Sequence, residues 1–269
     1  MVVALKKNKM RYFLYLLISF TIISCKKDKN TKEPSKKVTP IISKDTIKKS
    51  KEIVDVIVID KNFVLGKFNY RKDTSFVKVD AIHASKTIYL QKEVYTAFIK
   101  MYEAAKSENI NLKIISGTRN FYEQKAIWER KWKRYKDLSP IKRAQKILEY
   151  SSMPSTSRHH WGTDMDLNNL NNSYFERGVG AKEYQWLKEN AIKYGFYQVY
   201  TSKKNGRTGY NMEKWHWSYM PLAEQYLSYY NSKISYEDIT GFEGSQLEGE
   251  LNIIQGFVNG ISKSVVKVK

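Results

Sequence analysis

The chain has 269 residues, enough for one sizeable domain or two small ones. Its net charge of +20 is shared equally between residues 1–52 and the rest of the chain, and this excess favours anionic partners such as lipid headgroups or cell-wall polymers. Nucleic acid is disfavoured because the chain has no glycine-rich or aromatic RNA-binding signature. Cys25 is the only cysteine, which excludes a disulfide within one molecule.

The N-terminus is typical of an exported protein. Four basic residues precede a short apolar run over residues 12–23, which fits the core of a signal peptide and is too short to span a membrane comfortably. The run ends in Ile-Ile-Ser-Cys at residues 22–25, which resembles a lipobox. We therefore expect Cys25 to be acylated and residues 1–25 to be a lipoprotein signal peptide. The alternative is a plain secretory signal with an incidental cysteine.

Residues 26–52 consist largely of Lys, Thr, Ser and Pro. Such a segment cannot bury enough apolar surface to offset the entropy of ordering, so we predict a disordered basic tether that spans roughly 30 Å. Signal and tether together predict a protein anchored in the bacterial cell envelope, facing the periplasm or the cell surface. Nucleic acid is rarely met there, and a monomer is expected.

Both strands and helices are predicted from residue 53 onwards. A β-branched run predicts a strand over residues 53–59, followed by strands and loops up to residue 90. Helical periodicity and terminal signals predict helices over residues 90–108, 121–134, 140–150 and 181–194, one opened by Pro221, and one over 247–258. Short strands are predicted over residues 112–116, 163–167, 196–200 and 215–219. This mixture predicts an α+β domain over residues 53–234, with residues 235–269 as an extension of unknown role.

Two stretches far apart contain three of the four histidines. Residues 157–166 read Ser-Arg-His-His-Trp-Gly-Thr-Asp-Met-Asp, and residues 213–217 read Glu-Lys-Trp-His-Trp. A catalytic zinc needs three protein ligands and an open position for water, and it benefits from a carboxylate base beside that water. Gly162 allows a sharp turn, and strand alternation places the two aspartates on one face.

Spacing alone does not choose between His159 and His160 as a ligand. It also does not separate ligand from base among Asp164, Asp166 and Glu213. The alternative to a metal site is that these are ordinary histidines, one at a surface and one in a Trp-rich core.

The motifs resemble those of the zinc D-Ala-D-Ala carboxypeptidases of the VanY type, relatives of the dipeptidase VanX and of the Hedgehog signalling domain. The family's Ser-x-His-x-x-Gly-x-Ala-x-Asp corresponds to residues 157–166, and its Glu-x-x-His corresponds to residues 213–216. A third segment, Ser-Gly-Tyr-Arg followed by Gln, corresponds to residues 116–119 with Gln124. The resemblance covers about residues 88–230 and implies a Hedgehog/DD-peptidase-like single domain, with a small antiparallel sheet flanked by helices.

The resemblance also implies roles for individual residues. One zinc ion would be bound by His159, Asp166 and His216, and Glu213 would be the catalytic base. Arg119 would bind the substrate or stabilise the transition state.

Other assignments stay open at this point. Arg119 could instead be a surface arginine paired with Glu123. Gln124 and Ser157 are candidates for binding the terminal groups of the peptide, although either could cap a helix or turn. The fourth histidine, His83, is interpreted as structural or exposed.

Two positions depart from the family pattern. Asp164 replaces the usual alanine, and it either accepts a hydrogen bond from a metal ligand or points into polar packing. Thr118 replaces the usual aromatic residue before the arginine. Neither departure changes a ligand.

The function implied by the resemblance is hydrolysis of D-Ala-D-Ala bonds in peptidoglycan stem peptides. One alternative keeps the same site and acts as an L,D-carboxypeptidase or a peptidoglycan endopeptidase. Another is a non-catalytic, metal-containing module that binds the cell wall.

Overall fold

A computed structural model describes residues 59–262. The predicted signal peptide with Cys25, the predicted tether and residues 53–58 of the first predicted strand lie outside this range. In the part of the chain that the structure describes, no helix is long and apolar enough to cross a membrane.

The described residues form an α+β fold, as the sequence predicts. The helices are α1 (Lys61–Val64), α2 (Lys92–Ser107), α3 (Phe121–Arg134), α4 (Pro140–Ile147), α5 (Gly178–Asn190) and α6 (Met220–Lys233). The strands are β1 (Phe76–Lys78), β2 (Tyr89–Gln91), β3 (Ile114–Ser116), β4 (Asp164–Leu167), β5 (Phe196–Tyr197) and β6 (His216–Tyr219). Short turns of 3₁₀ helix connect several of these elements.

Two antiparallel sheets organise the fold. Strands β1 and β2 form a pair, and the other four strands form a sheet in the order β3-β4-β6-β5. On one face of this larger sheet, Met165, Leu167 and Trp217 pack in an apolar core with Val94 and Phe98 of α2. Because side chains alternate along a strand, the residues between them point to the opposite face. A small antiparallel sheet flanked by helices is thus confirmed.

Helix α3 begins at a well-defined point. Asn120 accepts a hydrogen bond from the backbone N–H of Glu123, and the Glu123 side chain accepts one from the backbone N–H of Asn120. This reciprocal cap satisfies backbone donors that would otherwise lack partners. It also fixes the chain direction immediately after Arg119.

Most predicted elements are confirmed, and α3 agrees residue for residue with the helix predicted over residues 121–134. Two predictions are wrong. Residues 247–258 do not form one helix, because Asn252 has a left-handed φ of 50° and separates a 3₁₀ turn from a π-helical turn at Ile254–Val258. The region predicted as strands and loops contains α1, whose first turn is capped by the Asp60 side chain.

The described part of the C-terminal segment packs into the core. Apolar residues of this segment join the cluster that contains Trp128 and Tyr226; they are Ile239, Phe242, Ile253, Ile254, Val258 and Ile261. The buried Arg207 guanidinium donates hydrogen bonds to the carbonyl oxygens of Thr201, Thr208, Tyr210 and Gly260. These bonds connect the segment to the loop that precedes Glu213. The division between residues 234 and 235 stays a prediction.

Candidate active site

The site is built on two neighbouring strands, β4 and β6. In the antiparallel register, Asp166 lies opposite His216 and Asp164 lies opposite Ser218. The two aspartates are two residues apart on β4, so their side chains leave the same face of the sheet. This face is opposite the one that packs on α2.

The structure brings His159, Asp166 and His216 together. One ligand atom from each lies within 4.8 Å of the other two, and all three residues are buried. His159 comes from the 3₁₀ turn Arg158–Trp161, which ends at Gly162 with a φ of 71°. A side chain at Gly162 would overlap the ring of Phe76, so both conformation and space require glycine there.

Hydrogen bonds to the outer ring nitrogens orient both imidazoles. His159 Nδ1 lies 2.8 Å from the carbonyl oxygen of Gly117, and its Nε2 lies 3.5 Å from Asp166 Oδ2. His216 Nε2 lies 2.9 Å from Asp164 Oδ2, and its Nδ1 lies 3.0 Å from Asp166 Oδ1. The ring nitrogens that face Asp166 are therefore Nε2 of His159 and Nδ1 of His216.

His160, which spacing leaves as a competitor to His159, points elsewhere. Its Nδ1 donates to the carbonyl oxygen of Arg119 at 2.7 Å, and its Nε2 accepts from the backbone N–H of Ser155 at 3.1 Å. Burial lowers the pKa of this imidazole to about 3, so the ring is neutral at physiological pH. With both nitrogens occupied by the backbone, His160 supports the turn that carries His159.

Glu213 lies beside the cluster. Its Oε2 is 3.7 Å from His216 Nδ1, and the residue is only 6% exposed. Its backbone N–H donates to the carbonyl oxygen of Tyr200, and its own carbonyl accepts from Gln198 Nε2. Burial raises the pKa of the Glu213 carboxyl to about 8. A bound cation would lower this pKa again by direct attraction.

Arg119 is held in the cleft by polar neighbours. Its Nε donates to Gln124 Oε1 at 3.0 Å, and its Nη1 donates to Ser116 Oγ at 2.5 Å. Gln124 is fixed in turn, because its Nε2 donates to the carbonyl oxygen of Ser152 at 2.8 Å. The alternative pairing of Arg119 with Glu123 is wrong: Glu123 instead caps α3 and pairs with Arg71.

These side chains open into a cleft of about 690 Å³. Ser157 lines it, and its buried Oγ has no hydrogen-bond partner among the described residues. Lys131 and Tyr200 are among the lining residues to which the sequence motifs do not point. Lys131 donates to Ser151 Oγ, and the ring of Tyr200 lies 4.6 Å from that of His216. Lys131 is seven residues after Gln124 on α3, a helical spacing that signals a shared face.

The donor set fits a divalent metal ion. Two imidazole nitrogens and one carboxylate converge, and both imidazoles are fixed by outer hydrogen bonds as metal-binding histidines usually are. Glu213 and the cleft adjoin this cluster. A fourth position for water beside a carboxylate is the arrangement that metal-dependent hydrolysis requires.

Comparison with known proteins identifies the family. The family model described as VanY, D-alanyl-D-alanine carboxypeptidase, matches residues 87–222, which is about half of the chain. The chain belongs to the VanY family. The match includes the 3₁₀ turn of His159, strands β4 and β6 and Glu213.

The chain is also similar to individual known proteins. The chain is 31% identical over 134 residues to a putative carboxypeptidase, YodJ of Bacillus subtilis (strain 168), covering 49% of this chain and 46% of the relative. It is 29% identical over 186 residues to a D-alanyl-D-alanine carboxypeptidase of Enterococcus faecium, covering 64% and 55%. The solved structure of VanYB in complex with D-alanine-D-alanine is 21% identical, with a TM-score of 0.47, and covers 62% of this chain and 93% of that one. The chain spans about half the length of the curated relatives it matches.

His83 is structural rather than exposed. The residue is 5% exposed, and its Nδ1 lies 2.7 Å from the hydroxyl of Tyr95. Its ring meets the edges of Phe98 and Tyr102 on α2. It is not among the residues that line the cleft.

Proposed function

We propose that this VanY-family protein is a zinc-dependent D-alanyl-D-alanine carboxypeptidase that hydrolyses peptidoglycan stem peptides. The observation that supports this most strongly is the convergence of His159, Asp166 and His216 beside the buried Glu213 carboxyl. The family match over residues 87–222 supports the substrate class.

The ligand set favours zinc among the common divalent metals. Imidazole nitrogen and carboxylate oxygen in a three-residue set are typical of catalytic zinc sites, whereas magnesium and calcium prefer all-oxygen sets. We infer that His159 Nε2, His216 Nδ1 and an Asp166 oxygen bind one zinc ion per chain. When bound, zinc supplies Lewis-acid activation of water and of the scissile carbonyl.

The protein's own groups supply the proton transfer and the charge recognition. Glu213 accepts the proton of the attacking water and returns it to the leaving amine. Burial raises the pKa of this carboxyl, and a bound cation would lower the pKa again, so that the carboxylate can accept the proton. The Arg119 guanidinium binds either the terminal carboxylate of the peptide or the developing oxyanion, because its planar fork carries a permanent charge. Gln124 and Ser116 hold that guanidinium in place.

Digestion of muropeptides tests the proposal. The zinc-loaded protein is incubated with uncross-linked pentapeptides, tetrapeptides and cross-linked dimers, and the products are identified by mass spectrometry. Release of one D-alanine from pentapeptides alone supports the proposal. Release from tetrapeptides selects an L,D-carboxypeptidase, and cleavage of dimers selects an endopeptidase. Bound zinc without any hydrolysis selects the non-catalytic wall-binding module.

We also propose that the protein works as a monomer on the bacterial cell envelope, anchored by a lipid on Cys25. The apolar run over residues 12–23 and the lipobox-like residues 22–25 support this location. Metabolic labelling with a fatty acid should mark the wild-type protein and not the Cys25→Ser variant. Equal labelling of both proteins would contradict the anchor.

A further inference from the structure

Asp164 stands where the VanY family motif has alanine, and it is the most densely hydrogen-bonded carboxylate of the site. The residue is fully buried. Its Oδ1 accepts from Thr163 Oγ1 and Ser218 Oγ, each at 2.7 Å. Its Oδ2 accepts from Arg158 Nε and His216 Nε2, each at 2.9 Å. Four donors therefore converge on a carboxylate that is not itself in the metal cluster.

Arg158 compensates the charge of this carboxylate. The guanidinium is 1% exposed, and its Nη2 donates to Ser218 Oγ at 2.6 Å, while Ser218 donates onward to Asp164. A buried carboxylate without a partner would be protonated instead. The Arg158 Nε lies 2.9 Å from Asp164 Oδ2, and the two side chains are 1% and 0% exposed, so they form a fully buried ion pair.

We propose that Asp164 is a positioning residue that keeps the Nε2 proton on His216, so that Nδ1 is the nitrogen that binds the metal. The imidazole has two equivalent-looking nitrogens, and only the one without a proton can be a ligand. Arg158 balances the charge of Asp164 across a contact of 2.9 Å, and Asp164 accepts from His216 Nε2 on the side of the ring away from Asp166. The Asp164 side chain thus orients His216 by accepting its ring N–H, as the Gly117 carbonyl oxygen does for His159.

This inference rests on the metal site of the proposed function, but its test uses zinc alone and no peptide. Zinc affinity is measured by competition with a chromophoric chelator for the wild type, for two Asp164 variants and for one control variant. Asp164→Asn removes the charge. Arg158→Met/Asp164→Ala removes both partners, so that no buried charge is left unpaired. Thr163→Val is the matched control, since it deletes one hydrogen bond to the same carboxylate without touching His216.

Zinc affinity should fall roughly 10- to 100-fold in both Asp164 variants, as for other partners of metal-binding histidines. The Thr163→Val protein should stay within about threefold of the wild type. If one Asp164 variant does not fold, the zinc affinity of the other variant tests the proposal. Affinities within about threefold of the wild type in every folded Asp164 variant would overturn the proposal. A loss in Thr163→Val as large as in the Asp164 variants would also overturn it.

Histidine NMR of the zinc-loaded protein gives a second, independent readout. The wild type should show a proton on His216 Nε2 at low field, and Asp164→Asn should move this signal upfield. A proton on Nδ1 in the zinc-loaded wild type would refute the inference regardless of affinity. A wild type that binds zinc and cleaves no muropeptide would remove the proposed carboxypeptidase activity while leaving this inference standing.

Discussion

The Glu213→Gln substitution should lower the rate of catalysis without unfolding the protein, and the structure gives a size for each effect. Glutamine has the same shape but cannot accept the proton of water. Positioned general bases contribute about 10²- to 10⁴-fold, so kcat for D-alanine release should fall by that factor, which corresponds to about 3–5 kcal/mol. Zinc content should be unchanged, because Glu213 is not among the three cluster residues.

The same substitution should stabilise the metal-free protein. Burial raises the pKa of the Glu213 carboxyl from 4.5 to about 8, so the folded state binds more protons than the unfolded state at pH 7. A raised carboxyl pKa destabilises the fold above the unfolded pKa, here by roughly 3 kcal/mol at pH 7. Urea unfolding in the presence of a chelator should therefore give a higher midpoint for Glu213→Gln than for the wild type.

The assays are steady-state release of D-alanine from a pentapeptide, zinc analysis and urea unfolding at pH 7. A zinc-loaded Glu213→Gln protein with kcat within tenfold of the wild type would refute the role of base. A metal-free variant less stable than the wild type would refute the argument from burial.

Three further predictions concern residues around the site. Arg119→Met should raise KM roughly 10- to 100-fold for peptides with a free terminal carboxylate, because a charged hydrogen bond is worth about 1.5–3 kcal/mol. His160→Phe should keep zinc affinity within about twofold. In the wild type, the pKa of His160 is about 3 in the folded state and 6.5 in the unfolded state, so only the unfolded state gains a proton as the pH falls from 7 to 5. The wild type should therefore lose about 2 kcal/mol of stability over this range that the His160→Phe variant keeps. Arg207→Met should lower the free energy of unfolding by about 2–4 kcal/mol, because it removes the donor to four backbone carbonyls.

Each of these predictions has a contrary result. An equal loss by Arg119→Met on a C-terminally amidated peptide would argue against carboxylate recognition. A His160→Phe protein that loses as much stability between pH 7 and pH 5 as the wild type would contradict the argument from the buried imidazole. Urea unfolding of Arg207→Met within 0.5 kcal/mol of the wild type, about the size of an ordinary surface substitution, would show that the guanidinium does not hold the C-terminal segment.

Periodicity predicts the elements that carry the site. The spacing of apolar residues predicts helix α3 and strands β4 and β6, because one face of each element is apolar and packs in a core. The helix predicted over residues 247–258 is wrong because the apolar residues there lie on two separate turns, at Ser245–Leu247 and Ile254–Val258. A left-handed Asn252 interrupts what looks like helical spacing.

Spacing did not distinguish His159 from His160, and the reason is geometric. In the 3₁₀ turn, consecutive side chains diverge, so one imidazole faces Asp166 and the next faces the backbone of Ser155 and Arg119. The choice depends on long-range partners that local sequence does not encode. The same holds for Asp164, whose role depends on a register that pairs β4 with β6.

The most direct test of the central claim is a zinc titration of the metal-free protein. Zinc is removed with a chelator and returned in measured amounts while D-alanine release from a pentapeptide is followed. We predict no activity without metal, a rise to a plateau at one zinc per chain, and no recovery in His216→Ala at the same zinc concentration. Full activity of the metal-free protein, or equal recovery in His216→Ala, would contradict the assignment of His159, Asp166 and His216 as the metal site.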